Sequence, residues 1–446
     1  MFIALVLAGS QIGKDAPAKP PSAAQPQVED WHLSGDHFGQ RVLAFGDVDG
    51  DSIPDFAVSD FARDDHENGP GCVWVFSGKE RKLITRLEGE RQPGRASARF
   101  GWALAAPGDL DGDGVPDLLI AARGGSARIN EGDLHRTGYA RVYSGKTSKI
   151  VREFHAQGEM DGFGASVAVL GDLDSDGVPD IAVGADGSYY QLEANSSEYP
   201  PCYVRLYSGK TGNLLGVIEG KSHDGRFGYS LCALPDVDGD AVPDLLIGEP
   251  GGEGAGRYGR GCVHVVSGKT GVEIHTLKGR DSGLDGRAEF GCSLASLNDL
   301  DGDGVNDFAV GCADCYVRFY SGKDRSMLGE VNTLVRGMFA SGFADSLCAL
   351  GDVDGDGVGD LAIGAEKTSF AGEQYDVLVV SGKSRSVLLT RSTGEWYARV
   401  GRGGDLTGSG VPYLLVGLWQ RDRVELVPIG KEAPVLCLER PVLAPK

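Results

Sequence analysis

One nine-residue pattern, D-x-D-x-D-x-x-x-D, recurs six times along this 446-residue chain and constrains its fold more than any other feature. The copies begin at Asp47, Asp109, Asp172, Asp236, Asp299 and Asp352, and a degraded seventh begins at Asp405. Successive starts lie 62, 63, 64, 63, 53 and 53 residues apart, and a regular period of this kind is the signature of a repeat architecture. Each unit opens on Phe-Gly or a variant of it, at Phe38, Phe100, Phe163, Phe227, Phe290 and Phe343. An apolar strand follows, then the aspartate loop, then a second strand such as Leu118–Ile120, Ile181–Val183, Leu245–Ile247 or Leu361–Ile363. A loop of variable length leads to a third strand ending in Ser-Gly-Lys, and a fourth strand completes the unit.

Four short strands rich in Val, Ile, Leu and Tyr, separated by Gly and Asp turns, read as an antiparallel meander. One such sheet cannot bury both of its faces, so neighbouring units must stack. The expected fold is all-β: a seven-bladed β-propeller of four-stranded antiparallel blades. The competing open solenoid requires capping repeats, and none is visible in the sequence. Two segments are candidates for the strand that closes the ring. Glu29–Gly35 resembles the fourth strand that precedes every other Phe-Gly, and Val435–Glu439 resembles a fourth strand following Ile429-Gly-Lys. The propeller is expected to occupy residues 28–446. Within 1–27, Met1–Gly9 is apolar and reads as a signal peptide short of its basic n-region, followed by a Pro- and Ala-rich linker over Asp15–Gln27.

Alternate residues of a tight loop can point at one centre, and calcium takes six to eight oxygen ligands. The carboxylates expected to bind it stand at positions 1, 3, 5 and 9 of each loop. They are Asp47, Asp49, Asp51 and Asp55; Asp109, Asp111, Asp113 and Asp117; and Asp172, Asp174, Asp176 and Asp180. The later loops offer Asp236, Asp238, Asp240 and Asp244; Asp299, Asp301, Asp303 and Asp307; and Asp352, Asp354, Asp356 and Asp360. Position 7 offers a backbone carbonyl, and Gly at position 6 permits a sharp turn. Four carboxylates so close together repel one another unless a cation joins them, so about six calcium sites are expected. Ser52 and Ala241 replace the position-6 Gly in loops one and four, which are expected to bind more weakly. Loop seven has Thr407, Ser409 and Tyr413 at ligand positions and is expected to be empty. An EF-hand is excluded, because its position-12 Glu is replaced by an apolar strand residue, Ile120 or Val183.

These loops also account for the formal charge of −21. They hold 24 of the 64 acidic residues, and the 40 that remain face 43 Lys plus Arg. No basic stripe suited to nucleic acid is present. No apolar run beyond the first residues approaches the roughly 18 needed for a membrane span.

Phe-Gly, the aspartate loop, and then Gly248–Pro250 or Gly184–Asp186 resemble the FG-GAP repeat of the N-terminal propeller of integrin alpha subunits and of many bacterial secreted proteins. The resemblance runs from about Trp31 to Glu439. It implies calcium between the first two strands of each blade, on the aspartates of blades one to six. The even spacing leaves no room for the inserted ligand-binding domain of some integrins, so integrin-type signalling is not implied. More blades are calcium-competent than in integrins, which is closer to the bacterial relatives.

Ser208–Thr211 and Ser267–Thr270 suggest a phosphate loop, but Val204 and Val263 stand where its first Gly belongs. They read as hairpin turns. The long loops Phe61–Gly71, Arg123–Gly138, Asp186–Pro201 and Glu249–Gly261 share the face opposite the aspartate loops. They carry Tyr189, Tyr190, Tyr199, Tyr258, Arg128, His135 and Arg136, candidate contacts for a ligand. The eight His are scattered and mark no catalytic constellation, so a non-enzyme is expected. Asn195-Ser-Ser is a glycosylation sequon with meaning only in a eukaryotic secretory context.

Nine Cys leave at least one thiol outside any internal pairing. Cys72, Cys202 and Cys262 open equivalent strands, and Cys232, Cys292 and Cys348 share another, which suits buried packing better than a disulfide framework. Cys312 and Cys315 flank a tight turn that a bridge could span. The functional expectation is a secreted or cell-surface propeller that binds an extracellular protein or polysaccharide. An extracellular polysaccharide lyase or hydrolase and a structural envelope component are the alternatives.

Overall fold

The computed structural model describes residues 38–441 except 62–69, 91–98, 125–137, 157, 159–160, 188–201, 223–224, 253–258, 281–288, 314–315, 333–342, 371–372, 395–397, 409 and 430–433. The expectations for residues 1–27 and for the strand at Glu29–Gly35 lie outside the described residues. So do the long-loop residues Tyr189, Tyr190, Tyr199, Tyr258, Arg128, His135 and Arg136, the sequon, and Cys315.

Among the described residues, twenty-eight strands form seven four-stranded antiparallel sheets, each built from four strands consecutive in sequence. Blade one takes Phe38–Gly46, Asp55–Asp60, Cys72–Phe76 and Leu83–Glu88. Blade four takes Ser230–Leu234, Asp244–Glu249, Cys262–Val266 and Glu273–Lys278. The first strands pack on one another around the ring, from blade one through blade seven and back to blade one, so they form its inner wall. Second and third strands are almost wholly buried, while fourth strands face solvent, as in Leu214–Glu219, where every residue but Ile218 is exposed or half-buried. The only helix among the described residues is a single 3-10 turn, and none is long and apolar enough to cross a membrane.

Seven hydrophobic clusters hold this ring together, and each spans one interface between adjacent blades. The period-two pattern of the strands explains the arrangement. Val73 and Val75 face blade two, whereas their neighbours Trp74 and Phe76 face blade seven, so every blade contributes to two cores. The Phe of each Phe-Gly sits in such a core, and Phe38, Phe100, Phe163 and Phe290 are fully buried.

The C-terminal segment settles how the ring closes. Leu436–Glu439 pairs with Arg423–Pro428 as the fourth strand of blade seven, so every blade is a contiguous stretch of chain. Closure then rests on side chains. Phe38, Trp74 and Phe76 of blade one pack with Leu406, Tyr413, Leu415 and Leu438 of blade seven. Arg440 reaches Asp60 across the same seam at 3.0 Å. Phe38→Ala is expected to lower unfolding free energy by about 3–5 kcal/mol in guanidinium denaturation, because it opens a cavity in the interface between the first and last blades.

Candidate metal centres

Each aspartate loop is shaped by its own backbone N–H groups. In loop two, Asp109 at position 1 accepts hydrogen bonds from Gly112 (2.7 Å) and Asp113 (3.1 Å) on one oxygen and from Gly114 (2.8 Å) on the other. Asp111 at position 3 accepts from Asp113 N–H, and Asp113 at position 5 accepts from Val115 N–H. These bonds curl the chain through two left-handed residues, at positions 4 and 6. Most are Gly, but Ser175, Ser52 and Ala241 hold φ of 63°, 71° and 66°. A left-handed non-glycine costs roughly 1–2 kcal/mol, so loops one, three and four keep the geometry under strain. Ser52 and Ala241 N–H still reach Asp47 and Asp236 at 2.7 and 2.8 Å.

The ninth residue is of a different kind. Asp55, Asp117, Asp180, Asp244, Asp307 and Asp360 are completely buried. One oxygen of each accepts from the N–H at position 2, between 2.6 and 2.8 Å away, for example Leu173 to Asp180 and Val237 to Asp244. The other accepts from the Gly N–H of the Ser-Gly-Lys turn between strands three and four, at 2.9–3.2 Å. Burial pushes these six carboxyls above the ordinary range, opposed by those same donors. At position 1 the balance reverses. N–H groups, above all those of Gly114, Gly177, Gly304 and Gly357, hold Asp109, Asp172, Asp299 and Asp352 below it. For Asp236 burial works the other way, but the N–H donors of Ala241, Gly239 and Asp240 prevail.

In loops one to four, one oxygen from each of positions 1, 3 and 9 falls within 4.8 Å of the other two. The triads are Asp47, Asp49 and Asp55; Asp109, Asp111 and Asp117; Asp172, Asp174 and Asp180; and Asp236, Asp238 and Asp244. Position 5 stands outside these triads. Its second oxygen faces the turn serine in blades two, three, five and six, where Ser144, Ser208, Ser321 and Ser381 hydroxyls lie 3.3–3.4 Å from Asp113, Asp176, Asp303 and Asp356. In loop one the corresponding oxygen, Asp51 Oδ2, is buried with no hydrogen-bond partner. A buried anionic acceptor left bare is costly, and a cation would satisfy it. An all-oxygen, carboxylate-rich donor set of this kind fits a hard divalent ion such as calcium.

The Ser-Gly-Lys turns were expected to be hairpin turns and nothing more. They are also clamps on the aspartate loops. The Gly N–H binds position 9, the Ser hydroxyl faces position 5, and Lys79, Lys146, Lys210, Lys269, Lys323 and Lys383 donate to the position-5 carbonyl at 2.9–3.5 Å. The Gly is required sterically, since a Cβ on Gly78, Gly209 or Gly268 would run into the carbonyl oxygen of Pro54, Pro179 or Pro243. A sequence signal for this role was present. In unit seven Ile429 replaces the turn Ser, and the same unit has lost Asp at positions 3, 5 and 9. Its Tyr413 is buried in the apolar seam with blade one, and Asp405 accepts from Thr407 and Gly410 N–H.

The opposite end of the ring carries a second feature that the motifs did not reveal. Just after Phe-Gly, Trp102 is surrounded by the guanidinium groups of Arg41, Arg99 and Arg123, between 5.1 and 6.0 Å from its ring, and by Phe61. Arg123 forms a buried ion pair with Asp186 at 2.8 Å, and Arg226 lies 3.9 Å from the Tyr229 ring centroid. Cysteine registers also differ from expectation. Cys202 precedes its strand by one residue, and Cys292 stands before the Ser-Leu pair that precedes Cys232 and Cys348. Burial pushes the Cys72 and Cys202 thiols up to about 12, so they stay protonated.

A protein-family model, FG-GAP repeat, matches residues 100–143, 163–197 and 227–266, in blades two, three and four. Among curated proteins, the chain is 31% identical to integrin alpha-V of Gallus gallus over 226 residues, 48% of this chain and 20% of that protein. It is 30% identical to integrin alpha-5 of Xenopus laevis over 244 residues, 51% of this chain and 21% of that protein. It is 36% identical to integrin alpha-7 of Homo sapiens over 168 residues, 36% of this chain and 13% of that protein. The match thus spans about a fifth or less of each of these relatives.

The two roles assigned to the aspartates separate experimentally. In calcium-free buffer Asp360→Ala is expected to cost about 2–3 kcal/mol, because it orphans the N–H groups of Val353 and Gly382. Asp354→Ala, whose carboxylate accepts from Asp356 N–H near the surface, is expected to change stability by less than about 0.5 kcal/mol under the same conditions, as read by denaturant unfolding.

Proposed function

We propose that this chain of FG-GAP repeats is a calcium-stabilised extracellular binding module, with up to six ions on one end of the propeller and its ligand surface on the other. The observation that carries the calcium reading is the convergence of carboxylates at positions 1, 3 and 9, held in place by backbone N–H groups in loop after loop. Preorganisation of this kind lowers the reorganisation needed on binding. The ion would cross-link strands one and two, while the position-9 aspartate links that loop to the turn between strands three and four. Asp47, Asp49, Asp51 and Asp55 and their counterparts in loops two to six would supply the ligands, with position 7 adding its carbonyl. Loop seven, lacking the buried carboxylate, would stay empty.

The likeness to integrin alpha chains supports an extracellular, non-catalytic role, with a protein or a polysaccharide as the bound partner. Within the described residues, the Trp102 and Tyr229 rings and their arginines offer the flat apolar and cationic surface such a ligand would need. The place of Trp102, Arg41 and Arg99 on the rigid inner strands favours a preformed site.

Binding of an ion to the folded state alone stabilises it by about 2.7 kcal/mol per site at a hundredfold excess over Kd. Thermal unfolding in EDTA followed by a calcium titration should therefore show a large rise in Tm, with metal analysis giving about six ions per chain. No rise and no bound calcium would overturn the reading. For the ligand surface, Trp102→Ala should abolish capture by a panel of immobilised acidic polysaccharides and extracellular-matrix proteins while leaving the calcium-dependent Tm rise intact. Retention of binding in that variant would move the site elsewhere.

A further inference from the structure

Blade four carries a second group of ligand-type side chains, at the end of the sheet away from its aspartate loop. Glu249 ends the second strand, directly across from Cys262 at the start of the third, and His264 lies two residues further on. Cys262 Sγ is 3.3 Å from Glu249 Oε2 and 3.5 Å from His264 Nε2, and the last two atoms are 2.8 Å apart. Glu249, Cys262 and His264 are only 6%, 3% and 7% exposed. We propose that Glu249, Cys262 and His264 form a zinc site, separate from the aspartate loops.

The spacing suits that ion. Zinc bonds of about 2.0–2.3 Å at the tetrahedral angle place ligand atoms roughly 3.3–3.6 Å apart, so two of the three separations are close to the required values and the third needs a small opening. The imidazole is also oriented from behind. His264 Nδ1 faces Glu273 Oε2 at 3.0 Å, and Glu273 is itself fixed by the Thr276 hydroxyl at 2.6 Å and Lys221 Nζ at 3.0 Å. A carboxylate on the far nitrogen of a metal-binding histidine sets its tautomer and raises its basicity. On binding, the thiol proton leaves to solvent, the ring keeps its proton on Nδ1, and thiolate plus carboxylate neutralise the dication. Phe227 packs its ring 5.2 Å from the imidazole. Backbone also comes close to two of the side chains, since a Cβ at Gly252 would stand 2.6 Å from Cys262 Sγ and one at Gly225 would strike Glu249 Oε1.

Comparison with the sister blades separates this group from ordinary packing. Blades two, three and five hold Tyr139 and Arg141, Tyr203 and Arg205, and Tyr316 and Arg318 at the positions of Cys262 and His264. There each guanidinium stacks 4.4–5.1 Å from its tyrosine ring. The residue across from the tyrosine is Ala122, Ala185 or Cys312, where blade four has Glu249. Blade one departs from this stack at all three positions as well, with Asp60 across from Cys72 and Trp74 two residues on, and blade four puts a histidine where that tryptophan stands, which completes a nitrogen, oxygen and sulfur set. That donor set is softer than the all-oxygen loops and selects zinc over calcium.

The test uses the full chain, stripped with chelator and reloaded with excess calcium so that the oxygen sites are filled, with cobalt(II) as the probe. One equivalent should give the thiolate-to-cobalt charge-transfer band and the intense visible bands of a tetrahedral centre, and zinc should displace it. Cys262→Ser should remove the charge-transfer band. His264→Arg, which installs the sister-blade residue and leaves the fold a known solution, should abolish binding without altering the calcium-dependent Tm. Glu273→Gln should weaken zinc binding about 10–100-fold. Absence of stoichiometric zinc or cobalt binding in calcium excess, or unchanged binding in either Cys262→Ser or His264→Arg, would overturn the proposal.

Discussion

The buried aspartate at position 9 is the constraint around which each blade is organised. A carboxylate with no solvent access must find donors in the protein. Here it finds them in two places that are far apart in sequence, the start of its own loop and the turn between strands three and four. Four strands of a meander are thereby tied across their ends at one atom group, in addition to the sheet's own hydrogen bonds. The tie explains why Ser-Gly-Lys accompanies the aspartate loop in six units, and why a glycine must stand where the Pro179 or Pro243 carbonyl comes so close. The clamp and the loop it holds form one structural unit.

Blade seven has released that unit, and its packing has changed accordingly. With Tyr413 in place of the buried acid, the side chain joins the apolar seam with blade one, and Ile429 occupies the place of the turn serine. The turn serine of the other units faces the position-5 aspartate, which unit seven lacks, so the serine is lost along with its acidic partner. The seam gains in apolar contact as the loop loses its aspartates, and this is the interface between the first and last blades of the ring. A propeller needs such an interface to be strong, because no shared sheet holds it shut here.

The same repeat logic makes departures informative. The Tyr–Arg stack of blades two, three and five is an internal standard for the strand-three position; blade one replaces its tyrosine with Cys72, and blade four, with Cys262, adds His264. On the opposite end from the acidic loops, Trp102 with its three arginines likewise occurs at one place, where blades one and two meet. Symmetry in the scaffold and asymmetry at particular positions divide the work between folding and recognition.

The sequence by itself determined the blade number, the order of strands within a blade and the positions of the aspartate loops. These arise from local rules: period-two apolar strands, turn residues and a motif repeated in register. It also carried the partnership of Ser-Gly-Lys with the aspartates, visible in their joint loss in unit seven, although a turn signal alone concealed it. Tertiary structure decided the rest. Two segments were equally suited to the last strand, and only the pairing of Leu436–Glu439 with Arg423–Pro428 chose between them. Glu249 and His264 are separated by 14 intervening residues, and their meeting depends on antiparallel register between two strands. Trp102, Arg41 and Arg123 come from three different strands of two blades. Contacts of that kind arise from the closing of a ring, which no local pattern encodes.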